Sequence, residues 1–335
     1  MNQLRVSILQ MDIAWENKQD NLRRLREKLE ALRGATEIIV LPETFSTGFS
    51  MNTDTLAEPV TGNTITTLRQ WASEYQIAIA GSYIACEENF VSSESNPSSY
   101  KNSTYYNRAF FLTPEGEAYF YDKRHLFRMG NETDNFTAGS RRIIIPYRGW
   151  NILLLVCYDL RFPVWSRNTG NEYDLLIYVA NWPVPRRKVW DILLQARALE
   201  NISYVCGVNR IGKDSNSFSY NGGSAIYSYK GEMHNFAGSK LSIAFLNCLL
   251  WLASNSRSRR LSNCSSASAG LRSICSTSSF FSSVFPTILL ALKITGPSSL
   301  CRSQQSVEVV CDLPAHVQWL AWESCTVHRT VRGRL

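Results

Sequence analysis

An address for export is not expected in this chain. Its amino terminus, Met1-Asn-Gln-Leu-Arg-Val-Ser-Ile-Leu-Gln-Met11, carries strand-like apolar residues but neither the continuous hydrophobic region nor the cleavage site of a secretory signal. A cytoplasmic protein is expected. Metal-ligand spacing is lacking too: of nine cysteines, Cys86, Cys157 and Cys206 stand alone in the first part and six are scattered after residue 240. Neither a bound metal nor a disulfide framework is expected. A net charge of +7 suggests nucleic acid until it is located, since residues 1–240 hold 26 Lys and Arg against 25 Asp and Glu, and residues 241–335 hold 9 against 3. The first part has no basic helix or aromatic-basic platform, so no nucleic-acid partner is expected. Uninterrupted apolar spans are missing as well: Leu241 to Ala253 and Phe280 to Ile294 are short and broken, and no membrane partner is expected.

The most abrupt absence is tyrosine. All fifteen lie before residue 241, and the 95 residues that follow hold nineteen Ser and one Lys. Ordinary globular usage does not change so sharply. Two regions are therefore expected, 1–240 as the folded domain and 241–335 as an atypical Ser/Cys-rich tail, out-of-frame or foreign in origin and disordered.

A hydrophobic fraction of 44% suffices for a buried core in the first region. Leu4 to Met11 reads as a strand; Asn17 caps a helix with Leu22, Leu25, Leu29 and Leu32 at helical spacing; Ile38 to Leu41 is the next strand. Thr64 to Tyr75 gives a second amphipathic helix, and Ile77 to Tyr83 returns as strand. Residues 87–104, polar and Ser/Asn-rich, read as a loop. Tyr105 to Leu112 and Glu117 to Tyr121 flank a Thr-Pro-Glu-Gly turn. Ile143 to Tyr147 and Ile152 to Val156, Asp174 to Ala180, Tyr204 to Asn209 and Ser224 to Tyr229 read as strands, with a helix over Val189 to Glu200. Strands alternating with helices indicate an α/β protein, in one sheet or in two.

Three strand ends carry reactive groups. Glu37-Ile-Ile-Val-Leu-Pro-Glu43 ends on a carboxylate, Ala118-Tyr-Phe-Tyr-Asp-Lys123 on an amine, and Asn151-Ile-Leu-Leu-Leu-Val-Cys157 on a thiol. Taken singly, Glu43 reads as a surface ion-pair partner, Lys123 as a hairpin-end charge and Cys157 as a small core hydrophobe. Ligands of α/β sheets bind outside the carboxyl ends of strands, so the three could share one pocket as base, cation and nucleophile.

With these residues in this order the chain resembles the nitrilase superfamily of carbon–nitrogen hydrolases, whose Glu-Lys-Cys triad fits Glu43, Lys123 and Cys157. Tyr121-Asp-Lys-Arg-His-Leu-Phe127, Cys157-Tyr-Asp-Leu-Arg-Phe-Pro-Val-Trp165, Ala180-Asn-Trp-Pro183 and Ala196-Arg-Ala-Leu-Glu-Asn201 are similar to its ω-amidase branch. The likeness runs from about Leu4 to about Gly238. It implies a four-layer α-β-β-α sandwich that dimerises, with a final sheet strand where the tail offers no visible counterpart. It also implies that Glu43 carries protons, that Lys123 and the Tyr158 backbone N–H hold the oxyanion, and that Glu132 orients Lys123 or the substrate. Arg161, one helical turn after Cys157, would bind the carboxylate of a 2-oxo acid, with Asn181 and Trp182 as pocket wall and His125 as a packing residue. No organic cofactor is implied. The expected reaction is hydrolysis of the terminal amide of 2-oxoglutaramate or 2-oxosuccinamate, a small-molecule amide, through a cysteine thioester. N-carbamoyl amino acid hydrolysis and nitrile hydrolysis are the sister alternatives, and an inactive or partly folded relic is the alternative of another class.

Overall fold

Along the first two strands, apolar residues leave alternately toward two interiors. In β1 (Gln3–Gln10) Leu4, Val6 and Ile8 join one buried cluster and Leu9 another; in β2 (Ile38–Val40) Ile38 and Val40 part from Ile39 in the same way. Successive side chains on a strand point to opposite faces, so this sheet is covered on both. The structure, a computed structural model, describes residues 3–93, 96–237 and 242–249. The chain divides into the units Met1–Ser268 and Ala269–Leu335, and every described residue belongs to the first.

One face of this sheet is covered by helices. In α1 (Lys18–Leu32) the Asn17 side chain accepts the Asp20 backbone N–H at 3.1 Å, and Leu22, Leu25, Leu29 and Leu32 form the buried stripe. After a single turn, α2 (Thr53–Leu56), α3 (Asn63–Tyr75) buries Ile65, Leu68, Trp71, Ala72 and Tyr75. These residues pack with Leu9, Ile39, Leu41 and Ile77, and each large side chain so buried contributes roughly 1.5–3 kcal/mol.

β3 (Ala78–Ser93), β4 (Asn96–Leu112) and β5 (Ala118–Asp122) continue the sheet. β1, β2 and β3 are parallel, and β4 and β5 follow antiparallel. Here the expectation of a loop over 87–104 is corrected: Glu87 pairs with Thr104, and the ladder runs on to Ser93 opposite Asn96. Ser/Asn-rich composition reports side-chain polarity, whereas a ladder is built from backbone N–H and C=O groups that almost every residue has.

The second half repeats the plan. After α4 (Glu132–Asn135) come β6 (Ile144–Tyr147), β7 (Trp150–Val156), α5 (Pro163–Ser166), β8 (Leu175–Ala180), α6 (Arg187–Asn201) and β9 (Tyr204–Asn209). A separate hairpin, β10 (Ile211–Lys213) with β11 (Ser219–Asn221), precedes β12 (Ser224–Tyr227) and β13 (Met233–Ala237). The second sheet runs β6-β7-β8-β9-β12-β13, with β7, β8 and β9 parallel at its centre. Leu4, Val6, Ile38, Val40 and Phe111 of the first sheet share one apolar cluster with the buried residues of β7, β8 and β9, joined by Trp190, Leu194 and Ala198 of α6. This is the α-β-β-α sandwich that the resemblance implied.

The first sheet is closed by β14 (Ser242–Leu249), antiparallel to β1 with Gln3 opposite Leu249 and Gln10 opposite Ser242. A last strand therefore follows residue 241, where none was legible from the sequence. The remainder of the stretch assigned to 241–335, with its expected foreign origin, its disorder and the run Phe280 to Ile294, lies outside the described residues. Among the described residues no helix is long and apolar enough to cross a membrane.

One close approach sets the loop after β5. A Cβ on Gly139 would lie 2.1 Å from the Asp122 carbonyl oxygen, a backbone atom, while the Gly139 N–H donates to the Lys123 carbonyl at 3.0 Å. Gly139→Ala is expected to lower stability by roughly 1–3 kcal/mol. The readout is a lower denaturation midpoint at unchanged slope; an unchanged midpoint would show that the loop yields freely.

Candidate active site

Sheet polarity brings the reactive side chains to one place. β5 runs antiparallel to β4, which is antiparallel to β3, so the end of β5 lies at the same edge as the end of β2. Lys123 directly follows β5, and Glu43 follows β2 after Leu41 and Pro42. In the second sheet Cys157 directly follows β7 and Asn181 directly follows β8. Packing of the two sheets then joins the ends: Asn181 donates its backbone N–H to Glu43 Oε2 at 2.8 Å and its side-chain amide to the Glu43 carbonyl at 2.8 Å and to Thr44 Oγ1 at 3.0 Å.

Glu43, Lys123 and Glu132 are almost wholly buried. Lys123 Nζ donates to Glu43 Oε1 at 2.9 Å and to Glu132 Oε1 and Oε2 at 2.9 and 2.7 Å. Asn107 Nδ2 reaches the same two oxygens, Glu43 Oε1 at 2.8 Å and Glu132 Oε1 at 3.0 Å, and the Phe127 backbone N–H donates to Glu132 Oε2 at 2.6 Å. A closed ring results, carboxylate to ammonium to carboxylate to amide. Burial alone would drive Lys123 toward its neutral form, but Glu132 and Glu43 outweigh it and hold the pKa above the ordinary lysine value. Burial pushes the Glu132 carboxyl up, Lys123 pulls it down and Glu43 pushes it up again, and the balance lies above the usual carboxylate range. The resemblance left Glu132 between Lys123 and the substrate; both its oxygens are on Lys123.

Cys157 opens a 3₁₀ turn, Cys157–Arg161, with a φ of 44°, in the left-handed region that side-chain-bearing residues avoid. Asp159 holds the turn. Its buried carboxylate accepts the Val156 backbone N–H at 3.1 Å, the Tyr121 hydroxyl at 2.8 Å and the His125 backbone N–H at 2.9 Å, and pairs with His125 Nδ1 at 2.8 Å. His125 stacks flat on Phe162 with ring centres 3.6 Å apart. The thiol contacts the Asn181 carbonyl at 4.0 Å. Burial raises its pKa well above the ordinary cysteine value, and the charge of Glu43 adds to this; Lys123 opposes but does not prevail. A thiolate at rest would need a cation that prevails. Here burial, then Glu43, outweighs that cation, and the thiol pKa is held up.

Cys157, Lys123, Tyr158, Arg161, Asn181 and Trp182 all line one cleft of about 700 Å³, whose other walls include Phe127, Arg186 and Tyr220. Glu43 and Glu132 lie behind it, meeting it through Lys123. The guanidinium of Arg161 lies 5.4 Å from the Trp182 ring centre and that of Arg186 lies 4.9 Å from the Phe127 ring centre. Arg161 does not pair with Asp159, whose partners are Tyr121 and His125. The Trp182 indole N–H donates to the Arg186 carbonyl at 2.8 Å, so one aromatic ring ties both arginines to the cleft wall. Among the described residues no cluster of three or more His, Cys, Asp or Glu side chains could hold a metal ion.

Three participants escaped the sequence reading: Asn107, Asp159 and Arg186. Asn107 had a signal, an amide inside the apolar strand Tyr105 to Leu112, where a buried polar group must find partners.

Residues 5–241 match the family model described as carbon-nitrogen hydrolase. The chain is 44% identical over 232 residues to omega-amidase YafV of Escherichia coli K12, covering 69% of this chain and 83% of that protein. It is 31% identical over 212 residues to 2-oxoglutaramate amidase of Bacillus subtilis 168, covering 62% and 77%. Among solved structures it is similar to XC1258 of Xanthomonas campestris, described as a CN-hydrolase superfamily protein with an arsenic adduct in the active site, with a TM-score of 0.67 and 35% identity over 78% of this chain and 96% of that one. With most of the folded unit matched and this identity over most of each relative, the chain belongs to the carbon-nitrogen hydrolase family, as an amidase acting on carbon–nitrogen bonds other than peptide bonds.

Proposed function

We propose that this amidase hydrolyses the terminal amide of a small 2-oxo acid, of the 2-oxoglutaramate or 2-oxosuccinamate type, through a thioester on Cys157. The observation that carries the reading is the buried Glu43–Lys123–Glu132 ring set directly against the Cys157 thiol at the floor of a cleft. The names of the Escherichia coli and Bacillus subtilis relatives support the amide and the 2-oxo acid, and no observation favours carbamoyl or nitrile substrates.

In the first half-reaction the thiol proton passes to Glu43 as sulfur attacks the amide carbon. The carbonyl electron pair moves onto oxygen, and that oxyanion accepts from Lys123 Nζ and the Tyr158 backbone N–H. All three ammonium hydrogens are engaged at rest, two of them by Glu132. One of that pair is released to the oxyanion while Lys123 keeps a bond to each carboxylate. As the tetrahedral adduct collapses, the C–N bond breaks and Glu43 delivers its proton to nitrogen, so ammonia leaves. Water, losing a proton to Glu43, then attacks the thioester; the C–S bond breaks, the proton returns to sulfur and the acid is released. Glu132 orients Lys123 throughout.

Arg161 receives the substrate carboxylate as a planar fork. Arg186, held beside Trp182 in the same cleft, adds a second positive charge. Among the described residues neither guanidinium has an ion-pair partner of its own. Exposed Ile192, Leu199 and Ile202 on and just after α6 support pairing with a second copy of the chain.

Cys157→Ala should abolish ammonia release from 2-oxoglutaramate, and rapid quenching of the native protein should leave the acyl group on Cys157; an adduct on Cys86 or Cys206 would overturn the mechanism. Because the resting thiol is protonated, alkylation by a small neutral reagent should keep accelerating through pH ~8.5, where an ordinary thiol half-ionises. A rate plateau near neutrality would reveal a resting thiolate instead.

Lys123→Met should cut kcat by more than the roughly 10²–10³ lost with one oxyanion donor. Glu43→Gln should do comparable damage through loss of the proton carrier. Near-normal turnover in either variant contradicts these roles.

Arg161→Met should raise KM for the 2-oxo acid amide about 10-fold or more, through loss of a charge-assisted bond of about 1.5–3 kcal/mol, with little change for an uncharged amide. Equal losses on both substrates would make Arg161 structural, and faster carbon dioxide release from carbamoyl compounds would reassign the substrate.

A further inference from the structure

The amide of Asn107 is locked from one end. Its side chain is buried in β4, and Ser82 Oγ lies 3.1 Å from its Oδ1. Ser82 Oγ also accepts the Thr44 backbone N–H at 2.8 Å. Carboxylates only accept, so the NH₂ end faces Glu43 and Glu132, one hydrogen to each Oε1 at 2.8 and 3.0 Å. The Thr44 N–H takes one lone pair of the serine oxygen, and the Ser82 hydroxyl donates to Asn107 Oδ1 at 3.1 Å. The chain of donors starts at Thr44, the neighbour of Glu43 itself.

We propose that Asn107 is a positioning residue that keeps Glu43 and Glu132 ionised side by side around Lys123, with its amide held in the working orientation by Ser82 and the Thr44 backbone. This rests on the proton-carrier role given to Glu43. Two carboxylates and one ammonium leave an excess negative charge in a buried ring, and Lys123 has no further hydrogen to offer. Asn107 adds donors to both carboxylates without adding a second cation. A second cation would neutralise the excess charge and weaken Glu43 as a base. The groups facing the ring are Glu43 after β2, Lys123 after β5, Glu132 on α4 and the Cys157 thiol after β7, with Tyr220 of β11 close enough to sense Cys157. The remaining donors are the backbone N–H groups of Asn181 and Phe127.

The sign of the effect follows. A hydrogen bond to an ionised carboxylate favours the ionised form, so its loss raises the carboxyl pKa and the base is lost at a higher pH. The effect is read on the acid limb of kcat/KM as a whole. In Asn107→Ala that limb should move up by about one pH unit. At its own optimum the variant's kcat should fall roughly 10- to 100-fold, with KM within about twofold, because the substrate touches neither atom. Ser82→Ala keeps the donor but unlocks its orientation, so the limb should move the same way by a smaller amount. The double variant should be no worse than Asn107→Ala, since both act through one chain.

An acid limb unmoved in both variants overturns the proposal, and so do losses that multiply in the double variant. Should Asn107→Ala fail to fold, Ser82→Ala decides alone: its limb moves up or the proposal is wrong. Glu43→Gln separates the levels of failure. If it is inactive while the limb stays fixed, only the role of Asn107 falls; if it is active, the proton-carrier reading falls first.

Discussion

The central constraint is a buried lysine ammonium. A buried lysine ordinarily loses its proton, and a buried ion whose partner is removed costs about 3–5 kcal/mol. Lys123 stays charged because Glu43 and Glu132 are both within 3 Å of it, and those carboxylates tolerate each other because of it. Neither member is stable there alone. The surroundings must therefore deliver all three together, with neutral donors for the charge left over, and this explains why Asn107, the Asn181 backbone and the Phe127 backbone converge on the same carboxylates.

The repeated sheet plan is what permits the convergence. Each sheet centres on three parallel strands, so several strands end at the same edge; packing two such sheets face to face sets Glu43 after β2 against Asn181 after β8, at matching positions in the two trios. The apolar residues of those strands form the common cluster, so hydrophobic burial and the polar ring are mounted on the same backbone. A one-residue slip of β2 or β5 within the first sheet would move the carboxylate off the lysine while sending core side chains to the wrong face. Core packing thereby enforces the register of the reactive ends.

This explains which parts were legible in the sequence. Alternating apolar residues, the Asn17 cap and the runs ending on Glu43, Lys123 and Cys157 carry local signals, and they gave the layers and the strand-end groups. The family resemblance gave the pairing of the two sheets. Two strand segments were missed for one physical reason: residues 87–93 with 96–104, and 242–249, pair through backbone groups, which composition does not report. Asn107 and Asp159 were missed because their importance lies in partners far away in the sequence. Asp159 is close to Arg161 in the sequence, yet the fold brings Tyr121 and His125 to it and leaves the guanidinium over Trp182. Arg186 carried no motif at all, and its place becomes evident only when the cleft wall is assembled.

The state of the thiol follows from the same electrostatics. Burial raises the thiol pKa most, Glu43 adds to it, and Lys123 opposes both without prevailing. With two carboxylates around one ammonium, the local balance is negative before sulfur ionises, and a further negative charge beside it is disfavoured. A protonated resting thiol is a weak nucleophile, which protects it from indiscriminate reaction in an open cleft. On the proposed mechanism it becomes strong only when its proton can move to Glu43 and its electrons to a carbonyl, so that charge passes through sulfur and comes to rest on an oxygen facing Lys123. The proposed role of Glu132 acquires its reason here: it holds the lysine charged and supplies the hydrogen bond that can be released when that oxygen arrives. The same doubled carboxylate that adds to burial against the free thiolate thus prepares the cation for the transition state, where added negative charge is stabilised and not before.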